Sequence, residues 1–382
     1  MSRIIETLKI EKLASTFLFG HSPLYVQYYI TARCNLRCEQ CNVIYANADV
    51  SECSDENALK VISNLGKIGT QVLLLTGGEP FMRKDLPEMV QAAIASGMHP
   101  RIQTNGYASL ESLKRASDMG ANDISISLDS MKPNLQDRIN GGFDDTWKRA
   151  METVFNVTQV FPKNTFAAFG CVLAPSNLDQ IENVIKFATE IGWWVSLVPA
   201  HSTDVNHPRS FSTFDHSVKF PSNLFGRLQE VLKAVKVMKA QGYNVYDSSQ
   251  YLDDVENYVL EKPTRWRERN NGICDSPGSY FAVLPNGNMA VCCDWRFEKN
   301  QYSLTSDDFT EQYSKKKMFP EAIKIAKACS GCMYGSYPEI TVTQRFAHAS
   351  MTRVQLFLKE EKTAIKKFDT LQDLLDVAKQ YE

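Results

Sequence analysis

The sequence lacks the features that would place it in a membrane or on nucleic acid. No apolar run approaches the roughly 18 residues that a bilayer span requires. Residues Met1 to Gly20 scatter Arg3, Glu6, Lys9, Glu11 and Lys12 among apolar side chains, unlike the uninterrupted apolar stretch of a signal peptide. An excess of one charge is lacking too: 382 residues carry a formal net charge of -2, which is no electrostatic footprint for nucleic acid or an anionic membrane. Together these absences predict a cytoplasmic chain with no nucleic-acid and no membrane partner. Cysteine, by contrast, is plentiful. Ten cysteines in a reducing compartment are not expected to form a disulfide framework, and their clustering argues for metal or redox chemistry. The length suits two domains, or one large domain with an appendage.

Short apolar runs alternate with amphipathic ones through the first half. Strands are predicted at Leu24 to Tyr29, Gln71 to Leu75, Pro100 to Gln103, Asp123 to Leu128, Thr165 to Leu173 and Trp194 to Pro199. Helical spacing marks Asp55 to Leu65, Leu86 to Ser96, Leu110 to Met119, Phe143 to Val157 and Leu178 to Ile191. This rhythm means right-handed βαβ units around a parallel sheet, an α/β fold. Six strands could curl into a partial (β/α)6 TIM-type barrel, with its chemistry at the carboxyl ends of the strands.

The loops at those ends carry the unusual residues. After the first strand comes Cys34-Asn-Leu-Arg-Cys38-Glu-Gln-Cys41, a C-x3-C-x2-C spacing whose three soft thiolates suit an iron-sulfur cluster or zinc. After the second comes Thr76-Gly77-Gly78-Glu79-Pro80, where paired glycines permit close backbone approach and Glu79 offers a carboxylate to a cation. A structural zinc site, with three cysteines and a remote histidine, is the bland reading of the first motif. It explains neither the Gly-Gly-Glu-Pro turn nor the repeated βα units.

With both motifs on neighbouring strand ends, the chain resembles the radical S-adenosylmethionine (SAM) superfamily over most of its first 200 residues. The resemblance implies that Cys34, Cys38 and Cys41 hold a 4Fe-4S cluster whose open iron chelates SAM, and that reduction cleaves SAM to a 5'-deoxyadenosyl radical. It also implies cofactor contacts: Gly77, Gly78 and Glu79 for the SAM amino group, Ser127 at a strand end, and Arg138 for the SAM carboxylate. Thr104 and Asn105 close the third strand in the same manner. One position departs from the pattern. The residue before the third cysteine is usually aromatic in this superfamily, and here it is Gln40, so adenine packing is expected from Val198 and Pro199.

Cysteines return near the end. Ser279 to Cys293 reads as two short strands joined at Pro285-Asn286-Gly287, flanked by Cys274 and by Cys329-Ser-Gly-Cys332. Four thiolates there could make a closed zinc ribbon or hold a cluster. The arrangement resembles the Twitch domain, the shortened relative of the SPASM domain. That likeness implies one auxiliary 4Fe-4S cluster on Cys274, Cys292, Cys329 and Cys332, acting as an electron relay. Cys292 and Cys293 are adjacent, so only one should face the cluster, and the glycine-to-cysteine spacing favours Cys292. Cys171 shares a strand face with Phe169 and Leu173. If that face lines the lumen, the thiol is a candidate hydrogen donor; a small buried hydrophobe is its ordinary reading.

The expected organisation is an N-terminal arm (1–20), a radical SAM partial barrel (21–215), a helical linker region (216–270), a small α+β auxiliary iron-sulfur domain (271–340) and a helical tail (341–382). With 33 residues ahead of Cys34, no leader-binding winged-helix module is expected. A small polar metabolite, such as a sugar, aminocyclitol, nucleoside or cofactor precursor, is therefore the first expectation for the substrate. Maturation of a ribosomally made peptide is the alternative, and a non-catalytic iron-sulfur or zinc scaffold the rival of another class. A flavodoxin or ferredoxin would supply the electron.

Overall fold

The computed structural model describes residues 22–41, 50–201, 219–268, 273–329, 331–334, 336–345 and 364–382. The predicted N-terminal arm lies outside these. The first half follows the predicted rhythm: β1 (Tyr25–Thr31), α1 (Asp55–Lys67), β2 (Val72–Gly77), α2 (Leu86–Ala95), β3 (His99–Thr104), α3 (Leu110–Asp118), β4 (Asp123–Ser127), α4 (Pro133–Ile139), α5 (Thr146–Val160), β5 (Phe166–Leu173), α6 (Ile181–Glu190) and β6 (Trp194–Pro199). β1 to β6 pair in chain order, each parallel to the next, as a part-barrel requires. One helix prediction needs correction. The helix predicted over Phe143 to Val157 starts later, at Thr146, and runs on to Val160, and α4 ahead of it is an element the periodicity did not predict. Pro133 in the first turn of α4 and positive φ at Gly141 and Gly142 beyond its end mark that short helix.

The second half runs α7 (Phe225–Ala240), α8 (Ser249–Val259), α9 (Arg265–Glu268), β7 (Tyr280–Val283), β8 (Met289–Ala290), α10 (Phe309–Ser314), α11 (Phe319–Ala328), α12 (Ser336–Arg345) and α13 (Leu371–Ala378). β7 and β8 form the predicted antiparallel hairpin, with Gly287 at φ +80° in its turn. The hairpin does not stand apart from the barrel. β7 pairs parallel with β1, Tyr25 opposite Tyr280, so the free edge of β1 is covered and the sheet reaches eight strands. Among the described residues, no helix is long and apolar enough to cross a membrane.

Side-chain alternation divides the sheet into two faces. Val26, Tyr28 and Ile30 of β1, Leu73 and Leu75 of β2, Ile124 and Ile126 of β4 and Val195 and Leu197 of β6 point outward into one core with the helices. Phe169, Cys171 and Leu173 belong to this outward set, and Phe169 stacks on Phe187 of α6 and on Trp193. The expectation that this face of β5 lines the lumen is therefore wrong. Cys171 is buried under the helices and cannot meet a substrate in the lumen as a hydrogen donor. A fully buried parallel strand is apolar on both faces, so its alternation carries no sign of which face looks inward.

The lumen is closed at the amino ends of the strands. Arg101 packs its guanidinium over the rings of Phe166 and Tyr246, at 5.3 and 5.6 Å, and lies 3.3 Å from Asp123, whose other oxygen is 2.9 Å from His99. This plug leaves the carboxyl ends as the open side. Replacing Arg101 by Met strips a buried carboxylate of its main counter-charge and is expected to cost about 3–5 kcal/mol. Urea titration should show that loss, and Asp123→Asn added to the same chain should recover most of it.

Candidate iron-sulfur and cofactor site

The cysteine loop leaves β1 at Thr31 and is pinned to the end of β2 by backbone alone. Gly78 N–H donates to the Thr31 carbonyl at 2.8 Å and Glu79 N–H to the Arg33 carbonyl at 2.8 Å. A Cβ on Gly78 would stand 2.0 Å from the Arg33 oxygen, and one on Gly77, at φ +148°, 2.3 Å from the Thr31 oxygen. The paired glycines thus permit the strand end to touch the loop backbone. On its other side the loop rests on the end of α4: Arg37 and Glu39 N–H groups donate to the carbonyls of Asn140 and Ile139. Leu36 is buried beneath it. The Leu36 N–H points at Cys34 Sγ at 3.4 Å, and Asn105 Nδ2 reaches the same sulfur at 3.7 Å and Asn35 Oδ1 at 2.9 Å.

Glu79 is buried, and its carboxylate takes three donors: Thr104 Oγ1 (2.8 Å), Asn105 N–H (2.8 Å) and Phe81 N–H (3.0 Å). Thr104 and Asn105 are thereby gathered onto Glu79. Loss of solvent nonetheless dominates and lifts the Glu79 carboxyl to about 7 against those bonds. Ser127 closes β4, half-buried, with Gln103 Nε2 at 3.4 Å from its hydroxyl. Val198 is half-buried on the inward face of β6, beside Val172. Arg138 is exposed near the end of α4, one residue before the carbonyls that hold the cysteine loop.

The sequence reading missed what Gln40 does. Its Nε2 donates to Asp129 Oδ2 at 2.9 Å, while Val172 N–H holds the other oxygen at 2.6 Å. Asp129 is buried, and desolvation lifts it to about 7. Gln40 thus ties the cysteine loop to the end of β4.

Burial first, then neighbouring thiolates, pushes the Cys38 thiol well up, with Cys41 and Cys34 both contributing; Cys34 is raised by burial and by Glu79 and Cys41. The second group behaves alike. Burial raises Cys332, with Cys329 and Cys274 adding to it; Cys292 is raised by burial, by Asp294 and by Cys293 and Cys332; Cys274 by burial and by Cys329. Backbone N–H groups of Trp295 and Gly331 point at Cys292 Sγ and Cys329 Sγ, both at 3.4 Å. Cys293 turns the other way, its sulfur 3.4 Å from Gln27 Oε1 and 3.8 Å from the Tyr337 hydroxyl. Buried thiols that raise one another call for cations, and N–H groups aimed at sulfur suit a cluster. As they stand, no three Cys, His, Asp or Glu side chains among the described residues are gathered closely enough to hold a metal ion. The fit therefore rests on thiol chemistry and loop placement.

A parallel part-barrel whose rim sets three thiols beside a glycine-glycine-glutamate turn defines a class of cofactor-dependent barrels. Residues 28–188 are a radical SAM domain: they match the Radical SAM superfamily. The cofactors of that domain are a 4Fe-4S cluster and SAM. The chain is 38% identical to the Fe-coproporphyrin III synthase of Methanosarcina barkeri over 30% of this chain and 29% of that protein. It is 28% identical to the PqqA peptide cyclase of Ruegeria pomeroyi over 45% of each. The chain thus spans less than half the length of these curated relatives. In fold it is similar to Streptococcus suis SuiB bound to its precursor peptide SuiA, with a TM-score of 0.60 at 15% identity over 81% of this chain and 69% of that one.

The buried carboxyls have a measurable consequence. Glu79 and Asp129 titrate near 7 when folded and near 4 when unfolded, so the stability they contribute is complete below about pH 4 and is lost as pH rises through about 7. In chemical denaturation between pH 5 and 8, Asp129→Asn should flatten the decline seen in the unmodified chain.

Proposed function

We propose that this protein is a radical SAM enzyme that modifies a peptide substrate. The observation that carries the reading is the cysteine loop docked on the Gly77-Gly78-Glu79 turn, inside the residues that match the superfamily. In this reading Cys34, Cys38 and Cys41 hold the first 4Fe-4S cluster. Bound there, the cluster and SAM together supply one-electron cleavage of SAM and abstraction of hydrogen from an unactivated carbon. Glu79, positioned by Thr104 and Asn105, takes the SAM amino group, Ser127 and the Gly77-Gly78 backbone line the cofactor, Arg138 takes its carboxylate, and Val198 packs near adenine. Cys274, Cys292, Cys329 and Cys332 hold the auxiliary cluster that relays an electron. A flavodoxin or ferredoxin is the external donor, and the reducing cytoplasm the compartment.

The peptide substrate is favoured over the small polar metabolite expected from the sequence. The PqqA peptide cyclase relative and the fold likeness to a peptide-bound SuiB support it. A small molecule is the second reading, because the relative at 38% identity is a porphyrin-pathway enzyme by name.

Anaerobic reconstitution should give about eight irons per chain, and Cys34→Ala, Cys38→Ala and Cys41→Ala together about four. With a strong reductant the intact protein should release 5'-deoxyadenosine from SAM, and the triple variant should release none. Zinc in place of iron, or no SAM cleavage by a fully loaded chain, would falsify the assignment.

A further inference from the structure

His201 follows the carboxyl end of β6, and Asp294 follows the cysteine pair after β8. The two meet with Nε2 3.1 Å from Oδ2, their side chains only 6% and 10% exposed. Tyr258 at the end of α8 completes the row: its hydroxyl lies 3.0 Å from His201 Nδ1 and its ring stacks on the imidazole at 6.1 Å. With the phenol donating to Nδ1, the ring proton sits on Nε2 and is donated to Asp294, a tautomer assigned from the network. The carboxylate is thus fixed through Oδ2, while its Oδ1 is buried with no hydrogen-bond partner among the described residues. A buried carboxylate oxygen lacking a donor is costly, and a carboxylate can only accept. A ligand can supply that donor.

Its surroundings indicate what kind. The Tyr334 ring stands edge-on to His201 at 5.8 Å, so aromatic groups flank the row. Burial raises the Tyr334 hydroxyl, and the charges of Cys293, Asp294 and Cys41 add to it, so the row stands near cysteines of both groups, beyond the carboxyl end of β6. A carboxylate with aromatic neighbours is the usual receptor for an ammonium or guanidinium, where Coulomb and cation–π attraction act together. We propose that Asp294, held in place by His201 and Tyr258, binds a cationic side chain of the substrate through its free Oδ1 and so orients the substrate between the two cysteine groups. The proposal rests on the reading of this chain as a peptide-modifying radical SAM enzyme.

Four blocked peptides, acetyl-Gly-Gly-Gly-X-Gly-Gly-Gly-amide with X as Lys, Arg, Ser or Leu, carry charge only at X. Equilibrium dialysis against the anaerobically reconstituted enzyme should show the Lys and Arg peptides bound at least about tenfold more tightly than the Leu peptide. Asp294→Asn should abolish that preference with iron per chain unchanged, and Asp294→Glu should keep part of it, which also covers a poorly folding Asn variant. Equal binding of all four peptides, absence of binding, or a preference that survives Asp294→Asn overturns the proposal. So does loss of iron from Asp294→Asn, since Asp294 would then be a cluster ligand. Peptide-free SAM cleavage by the wild-type enzyme tests the parent reading separately.

Discussion

Two backbone hydrogen bonds, from Gly78 to Thr31 and from Glu79 to Arg33, hold the functional end of this molecule together. They join the ends of β1 and β2 at a separation that no side chain fits, and they set the thiol loop and Glu79 side by side. The rest of the rim depends on this contact. Glu79 gathers Thr104 and Asn105, Asn105 reaches Cys34, and Gln40 carries the loop across to Asp129 at the end of β4. Three strand ends are thereby locked around one loop by side chains that are buried or half-buried.

Burying carboxylates and thiols this densely works against the folded chain. Glu79 and Asp129 are lifted toward neutrality despite good hydrogen bonds, and the thiols are raised further by one another. Such groups persist where cations are to be bound, because the bound charge reverses the balance of desolvation and repulsion. The opposite end of the barrel shows an internally balanced version of the same physics: the Arg101 guanidinium lies 3.3 Å from Asp123 and offsets its charge.

The auxiliary hairpin shows how position along the chain and position in space diverge. β7 extends the barrel sheet from β1, which brings Cys293 against Gln27 of the first strand and turns Cys292 toward Cys332. The glycine spacing favours Cys292 for the cysteine group, and Cys293 is the one whose sulfur rests on Gln27 and Tyr337.

By itself the sequence determined the six βα units, the part-barrel, the cysteine loop and its neighbouring glycine turn, because periodicity, ligand spacing and turn chemistry are local and survive being read along a line. Tertiary structure alone decided the rest. Cys171 lies outward because a strand buried on both faces gives no sign of its inner side. Gln40 binds Asp129 across 89 positions, and Asp294 binds His201 across 93. A lone polar residue in a loop has no spacing pattern of its own, and folding is what brings its partner within reach.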